Sequence, residues 1–561
     1  MKSMQLFLLT LAFFTVFSPG VSDCQWQQDV RITNDNLESI TSLNNARCIV
    51  SEGNTVHFVW ASGTSGDWDI FYRRSTDEGL TWGSTVVLTN DPGNDGSVDP
   101  CIAVSGSYVC VAWTDLRFRP NWEIYFKRST DAGLTWGSNL RLTEDHQLSR
   151  NPSLEISDSV VHLVWSEAGS AYYKRSSDRG LNWSSGVMLS NNLLTNGFPS
   201  IAVSGSIVHA VWSENNEIFY SRSSDAGLNW ASGIRLTNDA SNSWSPSVSV
   251  SGQTAGIAWH DLRDGNYEIY YKHSDDGGTT WSEDKRLTYN LYASYNPSVI
   301  VSGSVIHIAW YEIYNDYRIL YKKSLDGGKN WRSDELLSSS AAGSANPCLT
   351  VSDSIVHALW YDSRNSGTEI YYKRNPTGGS LFTLNLKAII EGFYNSVSNT
   401  MVSDTAEVIL RNNITPYVAI DASESVLNPS GDGIFLFSGL NNGVSYYIDV
   451  RHRNSIETWS NSGNTFSSGS LTYDFSTGSE KAYSNNQVLI DNIPERYAIY
   501  SGDVNQDGIV DASDLSSVEN NAAEGLSGYV ITDVTGDDFV DAGDLSILEN
   551  NSVNGVSVVI P

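Results

Sequence analysis

A tryptophan that returns about every fifty residues constrains this chain more than any other feature. It stands at Trp60, Trp113, Trp165, Trp212, Trp259, Trp310 and Trp360, at intervals of 53, 52, 47, 47, 51 and 50 residues. Each copy has the same parts in the same order. A small-residue start leads into an alternating apolar run, as in Ser200-Ile201-Ala202-Val203, and then a Ser-Gly-Ser turn. A second run ends on the tryptophan, as in Val208 to Trp212. A variable connection leads to a third run, Glu217 to Tyr220, and a tight turn to a fourth, Gly233 to Thr237. Four short alternating runs per unit, repeated along the chain, predict a β-propeller in which each unit is one blade.

The tight turn reads Ser-x-Asp-x-Gly-x-Thr/Asn-Trp in six copies, with aspartates Asp77, Asp131, Asp178, Asp225, Asp276 and Asp326. A carboxylate can accept N–H bonds within its own turn, glycine supplies the positive φ, and the tryptophan offers an apolar face to a neighbouring sheet. The expected role of these aspartates is structural. Six such turns at blade spacing resemble the Asp-box (BNR-repeat) propellers of the sialidase superfamily, over roughly residues 24–378. The seventh unit keeps Trp360 and Glu369 to Tyr372 but has no fourth run. Trp26, Arg31 and Thr33 match Trp136, Arg141 and Thr143 in spacing, so the first strand of the mature chain is expected to complete the last blade. The expected count is seven blades. The sialidase catalytic domains it resembles have six.

The resemblance places a site on the face opposite the aspartate turns, in the connections that follow each tryptophan. Three of these hold Asp-x-Arg: Asp115 with Arg117, Asp261 with Arg263, and Asp362 with Arg364. Sialidases clamp a substrate carboxylate with three arginines, and guanidinium matches carboxylate in bidentate fashion. These six residues are therefore the substrate-binding candidates. A local Asp–Arg brace explains the same repetition. Glycoside hydrolysis needs two facing carboxylates, for which Glu167, Glu214, Asp261 and Glu312 stand available; no catalytic residue is assigned. Phe118-Arg119-Pro120 only partly matches a sialidase signature and is read as coincidence. His57, His162, His209, His307 and His357 recur at one position of the second run, which argues for packing.

Beyond the repeats, residues 381–499 alternate in short strands (Phe382 to Leu386, Glu407 to Leu410, Ile434 to Phe437, Tyr446 to Val450, Leu471 to Phe475) and predict an antiparallel β-sandwich, Ig-like or prealbumin-like. Arg451-His452-Arg453 is read there as a solvated strand end. Residues 500–561 contain two acidic loops thirty residues apart. Asp503, Asn505, Asp507, Asp511 and Asp514 occupy loop positions 1, 3, 5, 9 and 12, with Ile509 giving a carbonyl at position 7. Asp533, Thr535, Asp537, Asp541 and Asp544 repeat the pattern, with Phe539 at position 7. That spacing wraps Ca²⁺ with hard oxygen ligands, and each loop runs into a helical segment. The pair resembles a type I dockerin, which implies two Ca²⁺ sites and a cohesin-like protein partner. Asp538 stands where the first loop has Gly508, so the second loop is expected to bind more weakly. An intramolecular Ca²⁺-stiffened cap is the other reading.

Residues 1–22 read as a signal peptide: Lys2, an apolar stretch from Leu6 to Phe17, and Gly20 and Ser22 before the cleavage point. Cys24 offers a lipid-attachment reading that Asp23 fits poorly. No later run is apolar enough to span a membrane, so the mature chain is expected to be secreted, extracellular or attached at the cell surface. A net charge of −30 argues against nucleic acid as a partner. Five cysteines do not make a disulfide framework. Cys48, Cys101 and Cys348 share one repeat position and read as small buried residues, and Cys101 could face Cys110 across a hairpin. The whole is an all-β chain with a small α-helical Ca²⁺ module. By resemblance it is a glycan-processing protein, a sialidase-like glycoside hydrolase and more narrowly an exo-sialidase. The alternative is a non-catalytic propeller that binds glycan or protein, which the near-uniform repeats favour.

Overall fold

The computed structural model describes residues 26–34, 37–43, 47–64, 67–90, 96–117, 121–144, 147–190, 197–238, 241–314, 316–338, 343–365 and 367–561. The signal-peptide segment, Cys24 and Phe118-Arg119-Pro120 lie outside these residues. The described chain forms two compact units, the first ending at Leu381 and the second starting at Phe382.

The first unit consists of seven antiparallel sheets, one per tryptophan repeat, numbered here 1 to 7 in that order. Sheet 4 is typical: Ser200–Ser204, Ile207–Glu214, Glu217–Ser223 and Ile234–Arg235, paired in chain order. Sheet 1 carries an additional strand, Glu38–Ile40. The first strands of successive sheets touch, and the ring closes where Ile49–Glu52 of sheet 1 meets Ala345–Ser352 of sheet 7. Sheet 7 receives its fourth strand from the other end of the unit. Val30–Arg31 pairs with Glu369–Asn375, with Val30 opposite Tyr372. Thr33 donates to Glu369 at 2.5 Å, and Arg31 makes an ion pair with the same carboxylate. Glu123, Arg141 and Thr143 form the same triad in sheet 2, where all members are local. This is a propeller, and closure leaves it no open sheet edge at the seam.

The repeated residues hold neighbouring sheets together. All seven repeat tryptophans are buried; Trp113, for example, packs among Val59 and Tyr72 of sheet 1. In the turn after the third strand, Asp77 accepts from Ser75 Oγ (2.6 Å), Thr81 N (2.8 Å) and Thr81 Oγ1 (2.5 Å), while Gly79 N donates to Ser75 Oγ at 2.8 Å. The copies at Asp131, Asp178, Asp225, Asp276 and Asp326 repeat this pattern. The glycine is required twice over: Gly79 has φ +81°, and a Cβ there would lie 1.9 Å from the Tyr372 hydroxyl of the preceding sheet. The turn tryptophan meets the same tyrosine edge-on, Trp82 against Tyr372 with centroids 4.9 Å apart.

The repeated histidines belong to this packing. His57, His162, His209, His307 and His357 each bond through Nδ1 to a third-strand tyrosine hydroxyl, at 2.6 to 2.9 Å. The exceptions follow the same logic. Sheet 2 has Cys110 with Phe126, which needs no partner, and sheet 5 has Gly256, where a Cβ would lie 2.8 Å from the Tyr271 hydroxyl. Cys48, Cys101, Cys110 and Cys348 are buried free thiols. The hairpin expectation for Cys101 and Cys110 fails on register, since Cys101 faces Ala112 and Cys110 faces Ala103.

In the second unit two sheets enclose one core that includes Leu384, Val408, Phe435, Ile448 and Phe475. One sheet orders Asp432–Phe437, Phe382–Lys387 and Ser470–Asp474; the other is built on Ala419–Leu427, Asp404–Asn412 and Ser445–His452. The sandwich is not wholly antiparallel, because Phe382–Lys387 runs parallel to Ser470–Asp474. Two helices follow, α1 (Ala512–Glu524) and α2 (Ala542–Val553). Both open with an aspartate capping box, Asp511 with Asp514 and Asp541 with Asp544.

Candidate functional site

The Asp-x-Arg residues form braces. Asp115 accepts from Arg117 Nε at 2.8 Å and Nη2 at 2.6 Å, and from the Trp113 indole at 2.8 Å. Asp261 does the same with Arg263 and Trp259, and Asp284 takes the other side of Arg263 at 2.7 Å. Asp362 holds Arg364 at 2.5 Å, and Asp29 holds it at 2.7 Å. The guanidinium groups also lie over Tyr125, Tyr270 and Tyr371, 4.4, 4.4 and 4.0 Å from the ring centroids. Burial pushes Asp115, Asp261 and Asp362 upward, but the bonds from arginine and backbone, joined by an indole at Asp115 and Asp261 and by the Ser344 hydroxyl at Asp362, outweigh it and hold all three below the usual carboxylate range. Each arginine is thus neutralised within its own sheet, and the three sheets (2, 5 and 7) are not consecutive neighbours. The clamp expectation is set aside on this geometry.

The carboxylates that stood available for hydrolysis are tied as well. Glu167 and Glu214 accept from the Trp165 and Trp212 indoles at 3.0 and 2.9 Å, and Glu312 pairs with Arg318 at 3.2 Å. They are repeats of one position, two residues after the tryptophan, and all are buried. Repetition at a load-carrying position is a poor source of two carboxylates facing one substrate.

The residue directly after each tryptophan behaves differently. It is Ala61, Thr114, Ser166 and Ser213 in sheets 1 to 4, but His260, Tyr311 and Tyr361 in sheets 5 to 7. This position lies at the end of the second strand, beside the start of the first, on the face away from the aspartate turns. Its register partners change in step: Val98 and Arg150 in sheets 2 and 3, Trp244 and Tyr295 in sheets 5 and 6. The result is a row of rings across sheets 5 and 6. Trp244, Tyr267, Tyr295, Tyr311 and Tyr317 follow one another with centroid separations of 6.1, 5.0, 5.5 and 5.7 Å. His260 sits beneath, 5.1 Å from Tyr267 and 5.3 Å from Tyr295. Burial lowers His260 to about 3, so its imidazole is neutral, and its Nδ1 accepts the Asn296 N–H at 3.3 Å. Trp244, Tyr267, Tyr295 and Tyr311 are half-buried and Tyr317 is exposed, so the row is a ledge with one side packed.

Polar groups edge the ledge. Asn296 and Asn346 are left-handed, at φ +46° and +49°, and each precedes a proline, a position where that conformation is disfavoured. Both sit in bulges of their first strands, and Asn296 Nδ2 donates to Asn346 Oδ1 at 3.0 Å. Asp99, Asn151 and Ser245 repeat the bulge in sheets 2, 3 and 5. In sheet 3 the exposed Arg150 guanidinium lies 5.2 Å from the Trp122 ring.

In the second unit the two acidic loops are near copies. Asp503 accepts from Asp507 N and Gly508 N, both at 3.1 Å; Asp533 accepts from Asp537 N and Asp538 N, both at 3.2 Å. Asp514 accepts from Val504 N at 2.9 Å and Asp511 N at 3.0 Å, and Asp544 from Val534 N at 2.7 Å and Asp541 N at 2.8 Å. Asp538 takes the left-handed conformation, φ +70°, that Gly508 takes in the first loop at φ +87°. The donors are the hard oxygens Ca²⁺ requires. Among the described residues, however, no three acidic, imidazole or thiol groups already converge as a metal cluster. The strand end Arg451-His452-Arg453 is not simply solvated. His452 is buried against Asp404 at 3.1 Å, and Arg453 reaches across to the second loop.

No family model matches this sequence, and no curated protein sequence matches it. Solved structures do resemble it. A protein of unknown function from Dyadobacter fermentans is 13% identical, covers 63% of this chain and 99% of its own, and gives a TM-score of 0.43. An ulvan lyase of a polysaccharide lyase family is 11% identical, covering 62% and 94%, with a TM-score of 0.45. Trypanosoma rangeli sialidase is 12% identical, covering 79% and 91%, with a TM-score of 0.37. At such identities and scores these likenesses carry no argument about chemistry, which rests on the residues alone. No helix among the described residues is long and apolar enough to cross a membrane.

Proposed function

We propose that this chain is an exported, seven-bladed glycan-recognition propeller whose ligand lies along the ledge from Trp244 to Tyr317. The ledge carries the proposal: five successive rings, open on one side and edged by amides, with spacings close to the length of a pyranose. Aromatic faces pack against the C–H faces of sugar rings, and nearby amides satisfy the hydroxyls. A row of rings suits several consecutive sugars better than one terminal residue. The binding reading is preferred over the hydrolase and exo-sialidase readings because the candidate arginines and carboxylates are committed to braces. The remaining unit is proposed as an Ig-like or prealbumin-like sandwich followed by a dockerin-like module. There the loop carboxylates hold Ca²⁺ and the module serves attachment, to a cohesin-like partner or within the chain.

The test is a glycan array probed with the mature chain in Ca²⁺, together with mass spectrometry of any sugar released. Binding of oligosaccharides without release, lost in Trp244→Ala and Tyr295→Ala, is the expected result. Release of sugar would restore an enzymatic reading, and binding unaffected by either substitution would remove the ledge from it.

A further inference from the structure

The two acidic loops match in sequence pattern and internal hydrogen bonds but not in surroundings. The second loop is clasped by the sandwich. Arg453 Nη2 lies 3.8 Å from Asp533 Oδ2, the carboxylate at loop position 1. The same guanidinium donates through Nη1 to the Val530 carbonyl and through Nε to Asp404 at 2.8 Å. Tyr529 closes the group, donating to Asp404 at 2.8 Å while its ring lies 4.4 Å from the guanidinium. Asn454 Nδ2 donates to the Asp533 carbonyl at 2.8 Å. Two glycines mark how closely the surfaces fit: a Cβ on Gly392 would lie 2.0 Å from the Val534 carbonyl, and one on Gly536 would lie 2.5 Å from the Phe393 ring.

The first loop has no such cation. Residues 500–561 contain no Lys or Arg, and among the described residues no ion pair reaches Asp503, Asp507, Asp511 or Asp514. Its carboxylates have no Lys or Arg within the module to balance them, whereas Asp533 has a guanidinium beside it. A divalent ion in the second loop would sit next to that guanidinium, and like charges at such a distance repel strongly where water is excluded. Thr535 at position 3 removes a carbonyl or carboxylate oxygen there, and Asp538 at position 6 must hold a left-handed backbone that glycine holds freely.

We infer that this module binds one Ca²⁺, in the loop Asp503–Asp514, and that the second loop is an intramolecular docking surface in which Arg453 stands in for the metal. The inference rests on the calcium reading above and narrows it. The module is thereby fastened to its own sandwich through the second loop and α2, and only the α1 side remains for an outside partner.

The experiment is calorimetric titration of the chelator-treated full-length chain with CaCl₂, repeated on Asp503→Asn and Asp533→Asn. One ion per chain is expected, lost in Asp503→Asn and retained with affinity within about threefold in Asp533→Asn. Two ions in the unmodified chain would overturn the inference while leaving the calcium reading intact, as would loss of the single ion in Asp533→Asn but not in Asp503→Asn. No binding in the unmodified chain would overturn the calcium reading and this inference with it. Because the unmodified chain already decides between one, two and none, the test stands even where a variant fails to fold.

Discussion

The two faces of the propeller are made from the same strands and teach different things. On the turn face six of the seven sheets repeat one another: serine, aspartate, glycine and tryptophan recur, and where a histidine is missing its tyrosine partner is missing or a glycine fills the place. On the opposite face the sheets part company, with Ala61, Thr114, Ser166 and Ser213 on one side and His260, Tyr311 and Tyr361 on the other. A repeat that only had to fold would be as uniform on the second face as on the first. The difference separates what the ring needs to exist from the face on which the proposed ligand would lie.

The largest test of that contrast is acid. Burial, with a nearby arginine or lysine, lowers His57 and His209 to about 4 and His162, His307 and His357 to about 3. The unfolded chain takes protons on these groups near pH 6.5 and the folded one does not. The stability they allow is therefore full above that pH and is lost as pH falls toward the folded values, by up to about 1.4 kcal/mol per histidine per pH unit. Thermal melts from pH 7 to 4 should show the propeller weakening steeply, and a flat profile would mean the histidines are not buried. Next is Trp212→Ala against Trp244→Ala. The first removes an inter-sheet core ring and should cost about 3–5 kcal/mol. The second removes a half-buried ledge ring, and denaturant titration should place its cost below about 1.5 kcal/mol.

Smaller effects concern binding. Tyr267→Ala or Tyr295→Ala should weaken oligosaccharide affinity about tenfold each, since one aromatic contact contributes about 0.5–1.5 kcal/mol and 1.4 kcal/mol is a factor of ten. Smallest of all should be Thr114→Ala, Ser166→Ala and Arg263→Ala, with dissociation constants within about twofold of the parent. A large loss in Arg263→Ala, measured on a chain that still melts cooperatively, would return that arginine to the ligand.

The repeats made the architecture legible. Spacing of tryptophan set the units, and Trp26, Arg31 and Thr33 pointed to the strand that pairs with Glu369–Asn375. The Asp-x-Arg motif was visible too, but its two roles differ only in which way a guanidinium turns, and that depends on Tyr125, Tyr270 and Tyr371 lying beneath it. The ledge was harder to read because Trp244, Tyr267, Tyr295 and Tyr311 come from different strands and assemble only when two sheets stand side by side. One signal was available, the residue after each repeat tryptophan. Arg453 looked like a surface charge because its partners Asp404, Val530 and Asp533 lie far from it in sequence. A run of basic residues at a strand end carries no local mark of what will dock there.

The seam of the ring also fixes a schedule. Arg31 and its partner Glu369 are 338 residues apart. As a ribosome makes this chain, Val30–Arg31 waits until nearly the whole propeller has followed. Partial products therefore carry an unmatched strand at one end and an unfinished sheet at the other. Completion is all or nothing: a shortened chain cannot close a smaller ring, because the piece that locks it was cut to fit the last sheet alone. Moving Val30–Arg31 to follow Asn375 by circular permutation would relieve that wait, and the delay it removes would be visible as faster refolding.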